Sequence, residues 1–292
     1  MRNLRLKNAL HLLLRVSVGC LPFIGAGVGE LLDDRSASVQ ITGTTVAWVV
    51  WGAVVLASFI SHPITLTVLR IGTPVVAGFI VFVAVTQGSS GSQIIGAAVG
   101  VAILLLSFSA EIGGIYVQAS AYGDEKRFAL RPPVVLIAPV LLSVLIADLS
   151  ILGLPMLVAA KNWAVAIIAL IGFFISVKYL LPRIHLLSRR WLVFVPAGIV
   201  VHDEIVLSIN LMIRKQDLLQ MQLARDNSAA ADLSALTWGV PLELSFNKPL
   251  DVSLTAIGAK HLKAVSAIHA QSVLIAASRP GSVLNAYGTK TN

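Results

Sequence analysis

The sequence predicts an α-helical membrane bundle of about six spans followed by a small, mostly-β soluble domain. Three observations carry that fold class. Long apolar runs fill most of the first 190 residues, the linkers between them alternate between basic and nearly uncharged, and from Ser188 onward short strand-like runs replace the long ones. With 57% hydrophobic and 12% charged residues and a mean hydropathy of +0.86, the chain is far too apolar for an ordinary soluble domain. The division is expected at residues 1–187 and 188–292.

A span needs about 20 apolar residues. The first candidate, 9–32, is interrupted by Arg15 and contains Pro22. Its basic start and apolar stretch resemble a signal peptide, but no small-residue cleavage site follows, so it reads as a retained span. Gly25, Gly27 and Gly29 would allow close approach of another helix, with internal packing the expected use. The second span, 44–60, is free of charge and carries Trp48 and Trp51 nearer its outer end; Ser61, His62 and Pro63 then turn the chain. The third, 64–85, runs into an uncharged linker rich in glycine and serine. The fourth, 93–118, has Gly96 and Gly100 four apart, which suits helix packing rather than a phosphate loop. The fifth, 133–157, opens on a proline suited to a first helical turn. The sixth, 163–181, follows a short break at Lys161 and Asn162.

The charges orient these spans. Arg2, Arg5 and Lys7 lead the chain, Lys126, Arg127 and Arg131 fill one linker, and Lys178, Arg183, Arg189 and Arg190 follow the last run; the other linkers hold only Arg35 and Lys161. Cytoplasmic loops carry the excess of Lys and Arg. Six spans from a cytoplasmic N-terminus place ten of these charges inside and two outside, with both termini cytoplasmic at the plasma (inner) membrane. The competing five-span reading lays 9–32 in the interface and makes the linker 33–43, with Asp33, Asp34 and a single Arg, cytoplasmic. Parity favours six. The net charge of +8 raises nucleic acid as a partner. Most of it belongs to the topology signal, and the charges of the tail are interspersed without a basic block, so no nucleic-acid partner is expected. Cys20 is the single cysteine, which excludes an intrachain disulfide or a cysteine metal cluster.

In the tail, residues 191–196 read as a strand, Ala197 and Gly198 as a turn, and 199–202 as the return strand. Residues 204–214 continue in strand fashion and 225–232 form a polar loop. A hairpin is predicted with strands 242–246 and 250–255 around Asn247-Lys248-Pro249, then a last strand at 272–277. Pro280 lies just inside the start of a short C-terminal helix.

Residues 122–128 (YGDEKRF) with 130–133 (LRPP), 188–203 (SRRWLVFVPAGIVVHD) and 278–281 (SRPG) resemble those of a family of actinobacterial multi-pass membrane proteins whose tail is similar to bacterial pleckstrin-homology-like domains. The resemblance implies no known activity. It implies a bent seven-stranded sheet closed by a C-terminal helix, a fold that in different proteins binds phosphoinositides, peptides or assembly partners and does not choose among them. A lipid-binding version would carry a basic cluster in its first hairpin loop, whereas that turn here is Pro196-Ala197-Gly198.

Ionisable groups inside spans are functional candidates, because burying them in hydrocarbon is costly. Arg70 and Glu111 fall at matching depth on consecutive antiparallel spans, roughly 10 Å from the cytoplasmic edge. An ion pair between them is expected, with Arg15 as a second partner or snorkelling to the inner surface. Its structural use is a lock between three helices; its functional use is a transport or relay step. Asp148 is an isolated acid nearer the outer face, either a proton or cation site or a carboxyl bonded to neighbouring hydroxyls. The linker residues Tyr122, Gly123, Asp124, Glu125, Lys126 and Arg127 form a helix end turned by glycine, with the basic half at the headgroups, and a candidate docking site for the tail. The six histidines are scattered without a metal-binding spacing, and the sequence contains no nucleophile elbow or phosphate-binding loop. No catalytic residue, cofactor or metal is therefore assigned. The expected function is a non-enzymatic membrane anchor or scaffold presenting the tail to a cytoplasmic or membrane protein partner; the alternative is a small transporter using Asp148 and the Arg70–Glu111 level.

Overall fold

Pro22 and Ser109 set where two of the apolar helices stop. The structure, a computed structural model, describes residues 2–24, 31–86 and 90–291, so the packing expected of Gly25, Gly27 and Gly29 lies outside the described residues. Two compact units divide the chain: Met1–Tyr116 with Leu141–His185, and Val117–Val140 with Leu186–Asn292.

The first unit is helical. Its elements are α1 (Arg2–Cys20), α2 (Ala37–Phe59), α3 (Pro63–Thr86), α4 (Gly91–Phe108), most of α5 (Ala110–Ala119) and α6 (Ile137–Ala159), α7 (Trp163–Ile175), and the start of α8 (Leu181–Ser188). Among the described residues, five stretches are long and apolar enough to cross a membrane: Ala37–Phe59, Pro63–Thr86, Gly91–Phe108, Val134–Ala159 and Trp163–Ser188. The expected first span falls short of that length, its apolar helix covering Asn8–Phe23. Pro22 is the cause: without an N–H it cannot continue the helical ladder, and the chain tightens into a 3₁₀ turn at Leu21–Phe23. The expected fourth span breaks in two. Ser109 takes an extended conformation after α4, and its Oγ accepts the Ile112 N–H at 3.3 Å to start α5. Between α7 and α8 the turn Ser176–Leu180 is π-helical, because Pro182 would clash with a regular helical carbonyl one turn earlier.

Leu14, Val18, Leu66, Leu69, Ile103 and Tyr116 form the centre of this unit's core. A Cβ at Gly100 would lie 3.4 Å from the Ala77 Cα, and one at Gly96 would run into the Ile24 carbonyl, so the two glycines let α4 approach its neighbours. Outward faces of α6 and α7, such as Leu141, Leu145, Ile168 and Phe174, are exposed and apolar.

The second unit is mostly β. One sheet orders β1 (Lys126–Ala129), β2 (Trp191–Val195), β3 (Gly198–His202) and β4 (Leu211–Arg214) antiparallel; the other has the order β5 (Leu218–Leu223), β7 (Leu242–Ser253), β8 (Ala267–Ile275), β6 (Ala231–Asp232). Helix α9 (Ala256–Leu262) precedes β8 and α10 (Pro280–Thr291) ends the chain. Leu192, Phe194, Ile213, Leu244, Phe246, Val273 and Val283 of α10 are almost completely buried in the shared core.

The β2–β3 hairpin and the terminal helix lie where the sequence places them. The expected strand at 204–214 is reduced to β4, because Asp203 accepts the Ile205 and Val206 N–H groups and turns the chain. The expected hairpin at 242–255 is instead one bent strand, β7. Register against β8 passes from Ser245↔Ser272 to Leu250↔Ala270, so Phe246, Asn247, Lys248 and Pro249 bulge opposite Gln271 alone. A bulge removes the need for the N–H that proline lacks. The last strand begins earlier than 272, at Ala267, and the polar loop ends in β6.

Candidate functional site

Two places gather polar side chains whose positions follow from these helix ends and strand pairings. The first is a level within the helical unit. The last carbonyls of an α-helix have no intrahelical partner and carry its negative dipole end. At the end of α2, Arg15 Nε donates to the Ser58 carbonyl and Nη2 to that of Phe59, both at 3.1 Å, while Tyr116 Oη donates to the Ala57 carbonyl at 2.7 Å. His11 Nε2 donates to the Ser58 carbonyl at 3.2 Å, and its ring meets that of Tyr116 edge-on. At the end of α4, Arg70 Nε donates to the Ser107 carbonyl at 3.3 Å and its guanidinium lies over the Phe108 ring. A Cβ at Gly113 would come within 2.9 Å of Arg70 Nη2, so the glycine leaves the room that the guanidinium occupies. Arg15 and Arg70 therefore each cap a helix C-terminus. Glu111 stands in the first turn of α5, just beyond the break at Ser109, where an acid complements a helix N-terminus. The break thus places Arg70 and Glu111 on its two sides.

Hydroxyls complete the level. Thr73 Oγ1 and Ser107 Oγ are 2.8 Å apart and buried, and Thr67 Oγ1 is 2.8 Å from His185 Nδ1. These histidine and tyrosine contacts are invisible in the sequence, where no spacing links residue 11 to 116 or 67 to 185. Asp148 behaves differently. It is half-buried and has no hydrogen-bond or ion-pair partner among the described residues. One turn further along α6, Leu152 and then Met156 line a cavity of about 1,140 Å³. Trp48, Trp51, Phe79 and Leu21 line it too, with Asp34 and Arg35 as its charged lining residues; Asp148 is outside that lining.

The second place lies within the β unit. Strand β1, from the linker between α5 and α6, pairs antiparallel with β2, Lys126 opposite Phe194 and Ala129 opposite Trp191. The turn before it is closed on itself: Gly123 takes φ +59°, Gln118 Oε1 accepts the Arg127 N–H at 2.8 Å, and Arg127 bonds Glu125 Oε2 and Ser120 Oγ. The Arg127 bond, the main cause, holds the Glu125 carboxyl below its usual range. Arg127 also lies over the Trp191 ring, which stacks on His202 at 4.7 Å. Tyr122 is 86% exposed and Asp124 and Lys126 are exposed. With Pro196 and Lys215 the linker frames an open cleft of about 550 Å³. Arg214 opposes Gly198, so Lys126, Arg214 and Lys215 surround a hairpin turn that has no basic residue of its own.

Next to β1 sits the buried pair Arg190–Asp203, each side chain 2% exposed. Arg190 Nε and Nη2 donate to the two Asp203 oxygens at 2.8 and 2.6 Å, and Nη1 donates to the Arg131 carbonyl at 2.6 Å. The backbone follows suit: Leu130 N–H bonds the Arg190 carbonyl, Arg131 N–H that of Ala276, and Ser278 N–H that of Ala129. Stretches 122–133, 188–203 and 278–281, far apart in sequence, meet here. Arg127, Arg131 and Arg190 are thereby engaged in protein contacts, although the sequence accounts for them as charges on the inner membrane face.

No family model, curated protein or solved structure matches this chain.

Proposed function

We propose that the chain is a multi-pass membrane anchor that presents its β unit as a cytoplasmic interaction module and carries out no chemical step. The observation that carries this reading is the junction: β1, which lies in sequence between the membrane-length stretches Gly91–Phe108 and Val134–Ala159, is built into the β sheet beside β2, which follows Trp163–Ser188. A module wired into the membrane part at both β1 and β2 is what presentation at a membrane surface requires. Two sheets ended by a helix are in keeping with a pleckstrin-homology-like domain, and the basic residues around the 196–198 turn leave an anionic partner open to it.

Six crossings with both termini in the cytoplasm remain our reading of the topology. Its support is that described residues from the two ends of the first segment meet α2 at well-separated points. His11 and Arg15 touch the Ser58–Phe59 end, whereas a Cβ at Gly43 would lie 2.6 Å from Leu32 Cδ1. Ser58 and Gly43 are about 22 Å apart along a helix rising 1.5 Å per residue.

Affinity purification from native membranes, with and without residues 188–292, tests the function. Partners held by the full chain and lost on truncation are expected; partners retained by the helices alone would move the function into the membrane. A second reading, transport, is favoured by one observation: Asp148, without a partner among the described residues, lies one turn from a residue lining the cavity. For it, Asp148→Asn should abolish a solute- or proton-dependent flux in vesicles while the protein still folds; an unchanged flux would remove it.

A further inference from the structure

We propose that the loop of residues 236–240 is an interfacial anchor, its side chains Leu236, Trp238 and Val240 inserted into the headgroup and upper acyl region of the bilayer. The inference rests on the reading that Val134–Ala159 crosses the membrane. All three side chains are exposed, at 58%, 65% and 50%, on a mostly-β unit whose other apolar residues in this stretch, Leu233 and Ala235, are buried. The loop is built rather than slack. Ala235 and Leu236 adopt left-handed conformations at φ 55° and 59°, unusual for residues with a Cβ, and Asp232 holds them by accepting the Ser234 and Leu236 N–H groups. That geometry turns apolar side chains outward.

What covers them follows from where the loop is tied. The Leu236 carbonyl accepts the Val134 N–H at 3.1 Å, and the Trp238 carbonyl accepts from Arg131 Nη1. A Cβ at Gly239 would lie 2.8 Å from the same Arg131 nitrogen. Val134 is the first residue of the membrane-length stretch, and Val135 beside it is 57% exposed. The backbone of the loop therefore sits at the depth where the chain passes from water into lipid. Tryptophan favours that depth, since its ring is apolar and its N–H finds polar partners there, and an arginine clamp belongs among phosphates. A protein partner would need no such registration with the start of a span.

Nitroxide labels introduced singly into the full chain carrying Cys20→Ser, reconstituted in phosphatidylcholine–phosphatidylglycerol vesicles, test this. Labels replace Trp238 or Val240, the mid-span Leu145 as the lipid reference, and Asn227, in the exposed polar loop, as the aqueous reference. The ratio of oxygen to nickel-chelate collisions at 238 and 240 is expected to be several-fold above that at 227 and on the side of 145. Two positions keep the result independent of any damage from losing the indole. If 145 reads as lipid while 238 and 240 read as water, the anchor is refuted and the membrane reading stands. If 145 itself reads as water, the membrane reading fails and the anchor with it.

Discussion

Arg190 and Asp203 show how far a residue's surroundings outrun its type. Removing one member of a buried ion pair leaves an uncompensated charge and costs about 3–5 kcal/mol. Arg190→Met alone or Asp203→Leu alone should therefore lower the thermal midpoint of the β unit by several degrees in the detergent-solubilised chain. The double variant should recover part of the loss, the remainder reflecting the Arg131 carbonyl and the Ile205 and Val206 N–H groups left without partners. A double variant no better than the worse single would refute the coupling. In the helical unit the Arg70–Glu111 pairing is open to the same cycle: Arg70→Met and Glu111→Gln, singly and together, should be non-additive by about 0.5–3 kcal/mol. Asp232 supplies the pH dependence. Burial raises its pKa, but bonds from Ser234, His261 and the backbone outweigh burial and the net shift is downward. A carboxyl depressed on folding stabilises above its unfolded pKa, and that contribution disappears as pH falls through the folded value. The wild-type β unit should thus weaken on acidification below the usual carboxylate range, and Asp232→Asn should flatten that part of the stability profile measured by denaturant titration.

Elements differ in how much of them can be read without coordinates. The β2–β3 hairpin is legible because apolar runs flank an obvious turn, and α10 because Pro280 marks its start. β1 is not: Lys126-Arg-Phe-Ala129 is too short to show alternation, and its partner strand lies beyond α6, α7 and α8. Asn247-Lys248-Pro249 misleads because turn residues and bulge residues are the same residues, and only the pairing of Phe246 to β5 on one side and Gln271 opposite on the other separates the two. Polarity at the C-terminal ends of α2 and α4 is legible as Arg15 and Arg70, but the carbonyls they cap appear only once the helices end at Phe59 and Phe108. The strand assignment gives a direct prediction. Residues 188–292 expressed alone lack β1 and the Leu130 and Arg131 backbone bonds, and should show broad, non-cooperative unfolding. Residues 117–133 joined to 188–292 by a flexible linker should unfold cooperatively, and equal behaviour of the two would refute the role of β1.

At the scale of the molecule, the charge pattern and the contacts divide the same residues between two tasks. Arg2, Arg5, Lys7 and Lys178 carry the proposed topology signal, whereas Arg127, Arg131 and Arg190 make contacts within the β unit. Orientation should therefore survive Arg190→Met, as judged by protease access to the tail in oriented vesicles, even though the unit unfolds more easily. The order of synthesis adds something to this. Roughly sixty residues separate Ala129 from Trp191, its opposite number, and at about 5–20 residues per second the ribosome takes several seconds to make them. On the proposed topology, two membrane-length stretches would be inserted during that interval while an unpaired sheet edge waits on the near side. If either helix were threaded the wrong way, that edge and its mate would end on opposite faces of the bilayer. On the proposed topology, completion of the first sheet would act as a proofreading event for insertion, and a chain failing it would offer a bare strand to quality-control proteases.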